Sequence, residues 1–208
     1  MKREIQACIQ RYKELAPIAD TIENAFHLLC TCFENGGKLL LCGNGGSAAD
    51  CEHITGELLK EFKIKRKLPE SFQASLKKNG ADSYFTENIY GSLPAISLVS
   101  QTGFITAFNN DADPDFVYAQ QVYGFGNKDD VLLAISTSGN SKNIVNASIV
   151  AKTKSLKVLA LTGESGGLLK NYADVLIPVP SNQTDHIQEY HLPVYHTLCE
   201  MLENHFFL

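Results

Sequence analysis

The chain has 208 residues, 44% of them hydrophobic and 20% charged, with a formal net charge of −5. That length buries a substantial core in one domain, 1–208, without disulfide or metal staples, and the acidic balance argues against broad nucleic-acid binding, which wants a basic face. No apolar run is long enough to span a bilayer and no signal-like apolar core follows Met1-Lys2-Arg3-Glu4, so the expectation is a cytoplasmic protein without membrane contact.

The first 35 residues read as helical. Ile5, Ile9, Tyr12 and Leu15 recur at helical spacing, and Ile22, Ala25, Phe26, Leu29 and Phe33 repeat the pattern after Pro17. Asn35-Gly36-Gly37 closes that second helix with residues that tolerate the left-handed conformation. Cys8, Cys30, Cys32, Cys42, Cys51 and Cys199 lie within apolar or helical stretches and read as buried, reduced thiols.

The rhythm then changes to strand, loop, helix. Five short apolar runs, at 38–42, 94–99, 131–135, 157–162 and 174–179, alternate with helical stretches. Continuous rather than alternating apolar strands predict a parallel sheet with helices on both faces, a three-layer α/β fold. A last helix is expected from about Thr184 to His205, with Pro193 as a kink in its interior. Residues 64–92 break the pattern, being polar and Gly/Pro-containing, without a clear strand. A connection that long is either a functional lid or a small helical insertion.

Two loops end strands with small and hydroxyl residues. Ser136, Thr137, Ser138 and Ser141, around Gly139-Asn140, precede a helix whose free N–H groups and positive dipole end suit a phosphate. Capping alone would need fewer hydroxyls. Gly43-Asn44-Gly45-Gly46-Ser47 follows the first strand in the same manner. It is neither a Walker loop nor a dinucleotide fingerprint, so no nucleotide cofactor is expected.

His53 and Glu57 are four residues apart on the next helix and share a face; Gln188 and His196, eight apart, project to similar sides of the last one. A carboxylate and an imidazole beside a phosphate site can shuttle a proton between two sugar carbons through an enediol. The same four side chains also suit a divalent metal. From spacing alone, a solvated His53–Glu57 helix pair and a satisfied, partly buried His196 are the favoured readings, and His191 is left as a supporting candidate.

Taken together, Cys42-Gly43-Asn44-Gly45-Gly46-Ser47, His53 and Glu57, Asn110-Asp111, the Ser136–Ser141 loop, and Ile187-Gln188-Glu189 with His196 resemble the phosphoheptose isomerases of the sugar-isomerase (SIS) fold. The likeness runs from about residue 20 to the end, apart from 64–92. It implies a five-stranded parallel sheet, a homotetramer with intersubunit sites, and conversion of sedoheptulose 7-phosphate to a glycero-manno-heptose 7-phosphate. By position it implies Glu57 as base and His196 as acid. Substrate contacts would come from Asn44, Gly45, Gly46, Ser47, Glu57, Asn110, Asp111, Ser136, Thr137, Ser138, Ser141, Asp185 and Gln188. Zinc, one per site, would fall on His53, Glu57, Gln188 and His196. Three features depart from the pattern: the 64–92 segment, Pro193, and Glu61 where the family often has an arginine, a place that Lys63, Lys65, Arg66 or Lys67 would have to fill. A non-catalytic relative that binds phosphosugars or the replication initiator is the alternative; Glu57 and His196, absent from such relatives, argue for the enzyme.

Overall fold

The structure, a computed structural model, describes residues 2–208. Five strands, β1 (Leu39–Cys42), β2 (Ala95–Ser97), β3 (Val131–Ile135), β4 (Lys157–Gly163) and β5 (Val175–Val179), form one sheet in the order β2-β1-β3-β4-β5. Every pairing is parallel, with Leu40 opposite Ile96 on one side and Leu132 on the other. Parallel strands need crossovers, and the crossover helices cover both faces, which is why β1 and β3 are buried along their whole length.

The pleat divides the core in two. Leu39, Leu41, Val131, Leu133, Leu159 and Leu161 face helices α1 (Arg3–Arg11), α2 (Ala19–Glu34), α3 (Gly46–Leu59) and α9 (Thr184–Phe207). Leu40, Cys42, Leu132, Ala134, Val158 and Ala160 face α7 (Val117–Phe125) and α8 (Lys142–Thr153). All six cysteines are buried free thiols. No helix among the described residues is long and apolar enough to cross a membrane.

Residues 64–92 form a helical insertion, α4 (Glu70–Lys78) and α5 (Ser83–Glu87), neither of which buries a residue. Pro17 sits in a 3₁₀ turn, Lys13–Ile18, that joins α1 to α2. The sequence pattern did not single out α6 (Thr102–Asp111), which is short and rests on the core only through the half-buried Ile105 and Phe108. Pro193 lies within an α9 that runs unbroken to Phe207; its missing N–H leaves the Glu189 carbonyl without a helical donor, while its own carbonyl also accepts from Thr197 Oγ1 at 2.7 Å.

Two consequences position the site. Chain order runs outward from β1 to β2 on one side and to β3 on the other, so the loops after β1 and β3 flank the topological switch point where open α/β sheets take ligands. In addition, α3 and α9 lie side by side and parallel: Gly46 meets Gln188, His53 meets His196, and Phe62, just past α3, meets Glu203.

Candidate active site

At the switch point the two loops are tied together. Asn44 and Asn143 exchange amide hydrogen bonds of 2.9 and 3.0 Å, joining the β1 loop to the first turn of α8. Tyr118 donates to the Gly43 carbonyl at 2.8 Å and fixes the same loop from below. Gln188 closes on Gly46, where a Cβ would lie 2.6 Å from Gln188 Nε2 and would push that side-chain amide aside. Gln188 is thereby brought to the N-terminal end of α3, beside Gly45 and Ser47.

The hydroxyl loop is prepared for an anion. Ser136 Oγ and Ser141 Oγ lie 3.1 Å apart. Ser141 is the N-cap of α8 yet makes no capping bond with its side chain, which leaves the N–H groups of Lys142 and Asn143 open. Gly139 adopts φ +67°, and a Cβ on it would meet the Gly166 carbonyl at 2.2 Å, so the turn accepts no other residue without rebuilding. Asn140 locks the far side by accepting from Leu168 N at 2.9 Å while its own N–H donates to Ser138 Oγ.

Two turns further along α3 stands the acid–base group. His53 Nε2 is 3.3 Å from Glu57 Oε1 and 3.5 Å from His196 Nε2, so Glu57 and His196 each meet His53. Lys60 Nζ lies 3.3 Å from the other Glu57 oxygen. The ring of Phe62 lies against His196, with 5.5 Å between centroids. Burial, then the neighbouring His53, lowers the His196 pKa and favours its neutral imidazole. A cavity of about 420 Å³ opens beside His196 between α1 and α9, with Arg11 and Lys63 on its walls.

The structure thus assembles His53, Glu57 and His196, seats Gln188 on Gly46, and links Asn44 to the helix that starts after Ser141. Ser47 is buried, and the Thr137 carbonyl accepts from Gly163 N at 2.9 Å. Asn110 and Asp111 are exposed at the end of α6 and bond to each other; Asp185 accepts only from the next backbone N–H. Four residues with a part in the site escaped the pattern: Asp50, Lys60, Asn143 and Tyr195. Asp50 and Lys60 were legible in principle, one turn before His53 and one turn after Glu57; Tyr195 and Asn143 carried no local signal.

Two sequence expectations need correction. Arg66 does not stand in for the family's arginine at the substrate. It is 1% exposed and its guanidinium is committed to Glu203 and to the carbonyls of Glu57 and Leu58. His191 is no partner of the site either: it is fully buried, with neither ring nitrogen paired, and burial lowers its pKa to about 4.

The zinc set is only partly gathered. The two edges at His53, 3.3 and 3.5 Å, are near the separation of about 3.3 Å that adjacent ligands of a tetrahedral zinc require. Gln188 stays at the other end of the groove, and among the described residues no three His, Cys, Asp or Glu side chains are grouped to hold an ion. As arranged, these residues do not fit a metal.

Comparison with known proteins identifies the family. Residues 2–91 and 92–163 match the SIS domain family. The chain is 40% identical over 194 residues to a phosphoheptose isomerase of Helicobacter pylori strain P12, covering 93% of this chain and 88% of that one. The solved phosphoheptose isomerase of Francisella tularensis is 36% identical with a TM-score of 0.74, across 97% of this chain and 92% of its own. That of Neisseria gonorrhoeae is 33% identical, also at a TM-score of 0.74, across 96% and 93%.

Proposed function

We infer that this chain, which belongs to the SIS-domain family and within it to the phosphoheptose isomerases, interconverts sedoheptulose 7-phosphate and D-glycero-D-manno-heptose 7-phosphate. The observation that carries the reading is the distance between an anion-ready loop pair and an acid–base group on one helix. From Gly46 to His53 is seven residues of α3, roughly 10 Å of rise. A seven-carbon chain with its terminal phosphate ester spans eight bonds, about 9 Å at the backbone's reach of about 3.5 Å per three bonds. The Ser136–Ser141 loop is tied to the β1 loop beside Gly46 through Asn143 and Asn44, so a phosphate held there, with C1 and C2 near His53, Glu57 and His196, is the arrangement proposed.

There Glu57 takes a proton from C1, and the freed pair forms the C1–C2 double bond of the enediol as the carbonyl pair moves to O2. His196, protonated for that step, supplies the proton that the enediol regains at C2, and the proton that Glu57 took restores it afterwards. In net terms one proton leaves C1, one arrives at C2, and the hydroxyl proton passes from O1 to O2. Lys60, 3.3 Å from Glu57, is the cation that pairs with the base. Asn44, Gly45, Gly46, Ser47 and Gln188 line the sugar's path, and Asn110, Asp111 and Asp185 complete the proposed contacts with exposed polar atoms.

Zinc belongs to the proposal only as a binding event on His53, Glu57, Gln188 and His196, whose imidazoles, carboxylate and amide oxygen are donors that zinc accepts. These side chains would have to regroup, and no step here runs through the ion. A cytoplasmic homotetramer with intersubunit sites is part of the same proposal. The assembly is supported by α4 and α5, which hold no fully buried residue on their own subunit, and by exposed Phe85, Phe104 and Phe125. A purely regulatory binding role is not favoured, because both acid–base side chains stand in place. The test is incubation with sedoheptulose 7-phosphate and detection of the aldose. Turnover lost in Glu57→Gln and His196→Gln, with binding of the sugar phosphate kept, supports the assignment; a wild-type chain inert on this and other ketose phosphates refutes it.

A further inference from the structure

Between α3 and β2 the chain carries two helices that little in their own subunit holds. They have nine and five residues, and isolated helices shorter than about 12–15 residues are marginal in water. Neither contains a fully buried residue, and Phe72, Tyr84, Phe85, Ile89 and Tyr90 are all exposed.

Charge indicates what covers them. On α4, Glu70, Ala74 and Lys77 stand at i, i+4 and i+7 and share one face. Glu70 is in the first turn, Lys77 and Lys78 in the last. Among the described residues none of these three charges is in an ion pair. Unpaired charges of opposite sign at the two ends of one helix, roughly 10 Å apart, are self-complementary. A copy of the helix run antiparallel brings each sign to the other, whereas a purely acidic or basic partner satisfies one end only. The space agrees. Glu70, Gln73 and Lys77 line a groove of about 1140 Å³ whose other side carries Tyr84, Ile89 and Tyr90. One more nine-residue helix, about 13.5 Å long and about 10 Å across, occupies about 1,060 Å³.

We propose that α4 is a self-association surface, pairing antiparallel with α4 of a second copy of this chain around a two-fold axis at Ala74. That axis sets Glu70 level with the partner's Lys77 and Lys78, and because the contact is isologous the same pairing forms twice. The proposal rests on the oligomeric part of the reading above, not on the reaction, and it lies in the segment where the family likeness is interrupted. A nine-residue helix is too small to hold a stable dimer alone, so the pairing is one contact of a larger assembly.

Ala74→Cys tests the geometry. Ala74 is exposed, and all six native cysteines are buried. Helices packed about 10 Å apart with this position near the contact bring the paired Cα atoms to about 6 Å, within disulfide reach. Mild oxidation of the full chain should give a covalent dimer on a non-reducing gel. Thr153→Cys, also exposed but on α8, should give none. Analytical ultracentrifugation tests the charges. Glu70→Lys should raise the concentration at which the assembly dissociates about tenfold or more, and adding Lys77→Glu and Lys78→Glu to it should restore the wild-type value. No covalent dimer from Ala74→Cys, or an equal yield from Thr153→Cys, overturns the proposal. So does a Glu70→Lys chain that assembles like the wild type, or a triple variant no better than Glu70→Lys. A tetramer without the cross-link removes this contact and leaves the assembly standing; a monomeric wild type removes both.

Discussion

Replacing Arg66 with methionine tests how the helix carrying Glu57 is held. The guanidinium donates from Nε to Glu203 Oε1, from Nη1 to the Leu58 carbonyl and from Nη2 to the Glu57 carbonyl, each at 2.7 Å. It also lies over the Phe207 ring at 5.0 Å. Glu203 in turn accepts from the N–H groups of Phe62, Lys63 and Ile64 at 2.7, 2.7 and 3.2 Å. Both side chains are 0% exposed. Arg66 therefore satisfies the Glu57 carbonyl that the end of α3 leaves open, adds a second donor to the Leu58 carbonyl beside Leu93 N, and neutralises a buried carboxylate. Removing one partner of such a pair costs about 3–5 kcal/mol, because the other charge stays buried. For a chain of this length that corresponds to a Tm lower by about 10 °C or more.

Burial works to raise the Glu203 pKa, but the Phe62 and Lys63 N–H groups and then Arg66 outweigh it and hold it below the usual carboxylate range. A depressed folded pKa stabilises the fold above the unfolded value of about 4.3, and that part is lost as pH falls through the folded pKa. The gap between wild type and Arg66→Met should therefore narrow below about pH 4. Urea unfolding at pH 7 and at pH 3.5 measures both effects. A loss under about 1 kcal/mol at pH 7 would refute the reasoning. Substituting both residues by apolar side chains should recover much of the loss, since the pair's desolvation cost disappears with it.

Further outcomes follow from the same coordinates. His191 has its pKa lowered to about 4 by burial, so stability should be constant above about pH 6.5 and fall as pH drops from there towards the folded value. His191→Leu should flatten that acid slope in chemical denaturation by up to about 1.4 kcal/mol per pH unit. Ser141→Ala should raise KM about tenfold with little change in kcat, because a phosphate contact binds ground and transition states alike; an unchanged KM places the phosphate elsewhere. Residues 70–88 should be removable behind a short glycine linker without unfolding the subunit. Gly91 N already bonds to Arg66 O at 2.9 Å and neither insertion helix buries a residue. Unfolding of the shortened chain by circular dichroism would contradict this.

The strands, the loops after β1 and β3, and the His53–Glu57 pair could all be read from the chain, because each is encoded within a few residues. Leu39-Leu40-Leu41-Cys42 is apolar on both faces and can only be an interior strand; His53 and Glu57 share a face because a helix turns by a fixed angle. No such local rule brings His53 within reach of His196, Gln188 onto Gly46, or Tyr195 between Asp50 and His53. Those meetings depend on α3 and α9 packing in parallel on one face of the sheet, with partners some 140 residues apart along the chain. Arg66 makes the point most sharply. In sequence it is one of four basic residues among Lys63, Lys65, Arg66 and Lys67, and any of them suits a solvated surface. Only tertiary structure shows which one is drawn inside, because burying a guanidinium is affordable only where a carboxylate, Glu203, and the carbonyls of Glu57 and Leu58 already converge on it.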